Sequence, residues 1–265
     1  LDFFDALGVK LKTEETGKLF PVTDNAHTVL DALLRAVADA GVEIRTQCRV
    51  TDLRHDGHVF QLQTSQGPLV ARRVILATGG LSLPKTGSDG GGYRLARALG
   101  HTITPTTPAL VPLVLEDRCW LTQLSGLSAD VTLALASSTG KVLHRQDGAL
   151  LLTHFGISGP AAMDISRHWI AAHQSDPRVV LHVDFTRGRS LADVENDLIA
   201  AGRERPRAAV GTVVRSHLPE RLAMALVRHG AAVDPATTMS QLSRDARRAI
   251  ARAMTALPLP VVRDR

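Results

Sequence analysis

Three stretches of this chain combine residue types at spacings that could do chemistry. The first is Ile75–Gly80 (ILATGG), a short apolar run ending on a threonine and two glycines. In open α/β sheets, ligands bind at the carboxyl ends of strands. Thr78, Gly79 and Gly80 bring little bulk there, so the backbone could approach a pyrophosphate or a flat cofactor ring closely. The second is Thr86–Gly92 (TGSDGGG), ahead of a helix expected from about Tyr93 to Leu99 and stopped by Gly100. Its spacing fits neither the phosphate-loop nor the dinucleotide fingerprint, because Leu95 stands where the latter needs Gly or Ala. It reads either as a Gly-rich loop or as an anion site at a helix N-terminus.

The third is Thr153–Pro160 (THFGISGP), between a strand and a helix. Ser158 or Gly159 suits the helix cap and Pro160 the first turn. His154 has two readings: it passes protons or holds an anionic substrate, or it hydrogen-bonds its own loop. A serine-hydrolase elbow fails because Pro160 occupies the last glycine position. No HExxH or CxxC pattern supports a metal site, and no side chain stands out as a catalytic acid or base.

The elements positioning these residues are partly legible. Asp24 or Asn25 caps a helix running to Gly41, with Val29, Leu30, Leu33, Leu34 and Val37 on one face. Val42–Thr46 reads as a strand. Cys48–Arg54 and His58–Thr64 are strands joined at Asp56-Gly57, a hairpin signal, and Gly67-Pro68 turns the chain again. Arg73–Thr78 reads as a strand buried on both faces. After the prolines at 105, 108 and 112, strands are expected at Ala129–Ala136, Lys141–Arg145, Ala149–Thr153 and Val179–Phe185, with turns at Ser138-Thr139-Gly140 and Asp147-Gly148. A helix is expected near Ala161–His173, and the chain reads as helical from Ser190 almost to Leu257.

Composition narrows the class. Hydrophobic residues make up 44% and charged ones 22% of 265 residues, a globular balance. Aromatics at 3% are too few for a stacking platform on single-stranded nucleic acid. Residues 1–200 carry a net charge of −2, whereas residues 201–265 hold twelve Arg against five acids, a net of +7. Because those Arg are scattered among Ala and Leu, the preferred reading is a solvated helical surface, and no nucleic-acid partner is expected; contact with nucleic acid is the alternative. Cys48 and Cys119 stand far apart, which fits a reducing cytoplasm. Neither a signal peptide nor a membrane-spanning run is expected.

The stretches Gly17–Leu34, Val74–Ser88, Gly92–Leu113 and Leu151–Arg167 together resemble the BaiN-like bacterial flavoproteins, also called aminoacetone oxidase-like FAD-binding enzymes. LPKTGS followed by GY, and THFGISGP, are the specific motifs. The resemblance implies an α/β fold: a two-dinucleotide-binding, Rossmann-like FAD domain with an inserted β-barrel-like and helical domain. On that pattern residues 1–107 are an incomplete FAD-binding part. Residues 108–265 are the insert, β-rich over 108–189 and helical over 190–265.

The same resemblance implies that Val50 meets the adenine through its backbone and that Ala77, Thr78, Gly79 and Gly80 line the pyrophosphate-to-flavin stretch. The loop with Thr86, Gly87 and Ser88, and the turn with His154 and Ser158, would approach the ring or substrate pocket. The family loop reads GSTGDGY, whereas Asp89 and Gly91 stand here in place of its Thr and Asp. The family's opening fingerprint is expected before residue 1 and its closing stretch after residue 265. The implied activity is FAD-dependent oxidation or reduction of a small molecule, with NAD(P)H or oxygen as redox partner. The competing expectations are a binding module built on the basic helical end, or an inactive truncated flavoprotein.

Overall fold

A computed structural model describes residues 1–14 and 17–265. They divide into two compact units, Leu1–Ile103 and Thr104–Arg265.

The first unit opens with a short helix α1 (Asp2–Ala6) and a hairpin of β1 (Leu11–Thr13) with β2 (Leu19–Pro21). Helix α2 (Ala26–Asp39) follows, and Asn25 is its cap: the side-chain oxygen accepts from the backbone N–H of His27 at 2.9 Å. Asp24 lies outside the helix, in the left-handed region, with its carboxylate on Lys12. An antiparallel three-stranded sheet comes next: β3 (Val50–His55), β4 (Phe60–Thr64) and β5 (Gly67–Ala71), with β4 in the middle. The turn between β3 and β4 forms because the Asp56 carboxylate accepts from the backbone N–H groups of His58 and Val59, while Gly57 takes a positive φ. Between β4 and β5 the turn residues are Ser65 and Gln66, so Gly67-Pro68 begins a strand rather than turning the chain. Helix α3 (Gly91–Ala98) packs on β3, with Leu53 and Leu95 buried.

Two expected strands of this unit are absent. Val42–Thr46 and Arg73–Thr78 join no sheet of the described residues. Ile75 is 91% exposed and Ile44 54% exposed. A strand exists through its ladder partners, and neither run has one. The stripe on α2 fares the same way: Leu30 and Leu34 face solvent, and only Ala32 is buried.

The second unit is built on a seven-stranded antiparallel sheet. Its members are β6 (Leu113–Leu115), β7 (Ser128–Ala136), β8 (Val142–Thr153), β9 (Gly156–Ser158), β10 (Val180–Asp184), β11 (Leu257–Leu259) and β12 (Val261–Asp264). The order is β11-β10-β7-β8-β9-β6-β12. The two edge strands are therefore consecutive in sequence, separated by Pro260 alone. The sheet must curl until its edges meet at that corner. The Pro260 carbonyl accepts from the Glu116 N–H at 2.8 Å there.

Strand β8 runs straight through Asp147-Gly148, where a turn was expected. Gly148 takes a φ of 150° there, a backbone conformation that favours glycine, and passes the N-terminal end of α4 (Gly159–Ser175) at ordinary contact distance. Asp147 pairs across to β7 and accepts a short hydrogen bond from Thr132. Strands β11 and β12 lie where the sequence reads as the end of a helical segment, and Pro258 and Pro260 disguise them.

Helix α4 touches β7, β8, β9, β6 and β12, burying Ala161, Ala162, Ile165, Trp169 and Ile170 against the sheet. Helix α5 (Leu191–Glu204) starts with a reciprocal capping box between Ser190 and Asp193. Short helices α6 (Val210–Val214) and α7 (Glu220–Ala225), a wider π-turn at Leu226–Gly230 and α8 (Arg244–Thr255) complete the unit. Helix α8 packs on α5 and reaches β10 and β11. One continuous core joins the helices to the sheet.

Candidate functional site

In the first unit the structure gathers the two Gly-rich stretches into one place. The carbonyl of Gly80 accepts from the Gly90 N–H at 3.1 Å. The approach is closer than side chains would allow. A Cβ on Gly79 would lie 2.6 Å from the Ser88 Oγ, and one on Gly80 would lie 2.8 Å from the Tyr93 hydroxyl. One on Gly92 would fall on the Thr78 Oγ1. These glycines are thus needed by the fold, to let Thr78–Gly80 and Ser88–Tyr93 interlock. The backbone N–H groups of Ala77, Thr78 and Gly79 have no partner among the described residues, and all three residues are exposed.

Asp89 ties this loop to β3. Its carboxylate accepts from Arg49 Nη2 at 2.6 Å and from the Gly91 N–H at 3.0 Å. The Arg49 guanidinium, and then the Gly91 N–H, hold the Asp89 carboxyl below the usual carboxylate range. The anion expected of this helix N-terminus is thus supplied by the chain itself. Position 91 lies beside the same arginine: a Cβ there would be 3.2 Å from Arg49 Nη2. Val50, next to Arg49, is half-buried at the head of β3 opposite Thr64, with a bulge just after it. Thr86 closes a 3-10 turn through a 2.9 Å bond to the Leu83 carbonyl, and Gly87 follows it with a positive φ and open space around it. Arg49, the partner of Asp89, is the contributor that sequence reasoning missed. The adjacency of Arg49 to Val50 was the one available signal.

In the second unit, Thr153–Pro160 is a clamp. The Thr153 hydroxyl donates to the Gly156 carbonyl at 3.0 Å and accepts from the Gly156 N–H at 3.1 Å, closing the hairpin of β8 and β9. Gly156 is required because a Cβ would fall on the Leu113 carbonyl of β6. Gly159 is required because one would lie 2.8 Å from the Ala149 carbonyl. Ser158 occupies the N-cap position of α4 but makes no side-chain capping bond. His154 sits exposed at the hairpin tip, edge-on to Phe155 at 5.1 Å between centroids. It makes no hydrogen bond among the described residues, so its loop does not use it. Arg265 lies over the Phe155 ring at 3.9 Å.

A separate cleft of about 800 Å³ in this unit is lined by Trp120, His229, Cys119 and the β11–β12 corner, and includes none of the residues singled out above. No group of three His, Cys, Asp or Glu residues among the described residues is placed to hold a metal ion. No helix among them is long and apolar enough to cross a membrane.

The chain is a mixed α/β protein with two glycine-rich stretches locked together, and comparison with known families places it. Residues 1–231 match the family described as HI0933-like protein Rossmann domain, and the chain belongs to that family. The resemblance to BaiN-like proteins and the α/β class are thereby borne out. Over 185 residues the chain is 35% identical to a 3-dehydro-bile acid delta(4,6)-reductase of Clostridium scindens, covering 70% of this chain and 44% of that protein. It is 30% identical over 232 residues to a ribosomal RNA dihydrouridine synthase of Haemophilus influenzae, covering 86% of this chain and 54% of that protein. The corresponding Escherichia coli synthase is 27% identical over 232 residues, with 86% and 55% covered. The chain spans about half the length of the curated relatives it matches.

Proposed function

We propose that the protein is an FAD-dependent oxidoreductase that adds hydrogen across a carbon–carbon double bond, with NAD(P)H as the electron source. The observation carrying this reading is the interlock of Thr78–Gly80 with Ser88–Tyr93, beside which the backbone N–H groups of the exposed Ala77, Thr78 and Gly79 have no partner among the described residues. Successive backbone N–H groups can donate to the oxygens of a pyrophosphate. The residues present therefore fit a dinucleotide. Bound flavin would supply the two-electron chemistry itself.

The chain's own part is to bind and orient. Ala77, Thr78 and Gly79 would donate to the pyrophosphate, with Gly80 continuing the stretch. Val50 would meet the adenine through its backbone. The Arg49–Asp89 pair holds the Thr86–Ser88 loop against β3. His154, exposed and unbonded, is the group proposed to hold the substrate or move a proton, with Ser158 beside it on the same hairpin. The double-bond chemistry is supported by the relatives' names, since a delta(4,6)-reductase and a dihydrouridine synthase both describe saturation of such a bond.

The test is spectroscopic. The purified chain is incubated with FAD, freed of excess by gel filtration and scanned in the visible. Retained flavin bands, bleached by NADPH or NADH under nitrogen, are expected. A chain that elutes colourless after incubation with excess FAD overturns the proposal.

A further inference from the structure

The cleft of about 800 Å³ in the second unit is of a size that takes a small organic molecule. Its lining has two parts. Trp120, the residues of β11 and Pro260 make the apolar part, with Leu257 and Leu259 buried. His229 stacks on Trp120 with ring centroids 5.8 Å apart and planes inclined by 27°, so the indole is steadied by a second ring.

The other part is the turn from β6 to Trp120, which carries three consecutive charged residues, Glu116, Asp117 and Arg118. The Cys119 N–H closes it on the Glu116 carbonyl at 3.1 Å, and the Glu116 N–H ties it to Pro260. All three charged side chains are exposed, and none makes an ion pair or a side-chain hydrogen bond among the described residues, even with its neighbours in the turn. Arg118 keeps a φ of 65°, a left-handed conformation that glycine would take more readily. Burial pushes the Cys119 thiol up, so it stays neutral and adds no charge to the cleft.

We infer that this cleft binds an aromatic amino acid as its zwitterion. The ammonium group lies against the carboxylates of Glu116 and Asp117, the carboxylate takes the Arg118 guanidinium fork, and the ring packs on Trp120 and β11. A purely cationic ligand would leave Arg118 unmatched, and a purely anionic one would leave both acids unmatched. A molecule with both charges on one carbon and an aromatic side chain matches the whole lining. The inference does not rest on the flavin reading, and its test contains no flavin.

The experiment follows tryptophan emission of the full 265-residue chain during titration with L-phenylalanine, excited at the red edge of the indole band where phenylalanine does not absorb. Trp120 and Trp169 are the two tryptophans, and Trp169 is 3% exposed between α4 and the sheet. A saturable change is expected, and it should vanish in Trp120→Phe. Phenethylamine lacks the carboxylate and hydrocinnamate lacks the ammonium group. Each should bind roughly tenfold more weakly, since one charge-assisted contact is lost. Arg118→Gly removes the guanidinium at a position whose φ suits glycine, so the fold is kept. It should lower the affinity for L-phenylalanine to that for phenethylamine without weakening phenethylamine itself; unchanged affinity for L-phenylalanine overturns the inference. Absence of both an emission change and a heat of binding at millimolar L-phenylalanine also overturns it. So does equal affinity for the three compounds, which would make the cleft a nonselective apolar site, or a response that survives in Trp120→Phe, which would place the ligand elsewhere.

Discussion

The two units of this molecule treat the same kind of sequence in opposite ways. Leu133 and Leu135 on β7 and Leu181 and Val183 on β10 are apolar residues at strand spacing, and all are buried. Ile75 and Leu76, in an equally apolar run, lie in solvent. Propensity is the same in both; what differs is whether a neighbouring strand and a covering helix are at hand. Within the described residues the second unit supplies both through its curled sheet and α4, and the first unit supplies neither to Arg73–Thr78. Burial is a property of a pair of elements, and periodicity in one of them announces only the demand.

The sharpest way to break this contrast is to remove one large side chain from each unit. Trp169→Ala empties a site between α4 and the sheet and is expected to cost about 3–5 kcal/mol. Ile75→Ser is expected to stay within about 0.5 kcal/mol of the wild type. Urea denaturation of both variants measures the difference; equal losses would mean that Ile75 is covered. A smaller effect is expected at the glycine interlock. Gly92→Ala drives a methyl into Thr78 and should cost about 1–3 kcal/mol, confined to the first unit. Its amides from Thr78 to Tyr93 should then lose hydrogen-exchange protection while those of β7 and β8 keep theirs.

The smallest effect concerns Asp89. Its carboxyl is held low, so the tie to Arg49 is present in full above the ordinary carboxylate pKa of about 3.9 and is lost as pH falls through the depressed value. An NMR titration should find the Asp89 midpoint below that ordinary value. In Arg49→Ala the midpoint should rise toward it, because the larger of the two stabilising contacts is gone. A midpoint unmoved by that substitution would show that Gly91 alone sets it.

Features written locally were legible from the sequence. Asn25 as a cap, Asp56-Gly57 as a hairpin, and Gly140 between β7 and β8 each act through residues a few positions apart. The meeting of Thr78–Gly80 with Ser88–Gly92 was half legible: the glycines marked both stretches, but not that each exists to admit the other. The Arg49–Asp89 pair spans forty residues and leaves no local trace. Gly148 reads as a turn because glycine serves turns and positive-φ positions within a strand alike. His154 was left between two readings, and the hairpin settled one of them by closing through Thr153 instead.

The corner at Pro260 has a consequence for the order of assembly. Strand β6 is near the start of the second unit and pairs with β9 and with β12, the latter lying at Val261–Asp264. During synthesis on the ribosome, β7, β8 and β9 can zip together as soon as they emerge, since their pairings are local. The outer edge of β6 must wait for about 150 further residues before its partner exists. Through that interval it is a bare hydrogen-bonding edge, open to mispairing with another nascent chain. Closure of the sheet must therefore wait for Val261–Asp264, and deleting Val261–Arg265 should leave a protein that folds most of its core and aggregates through the strand it never covered.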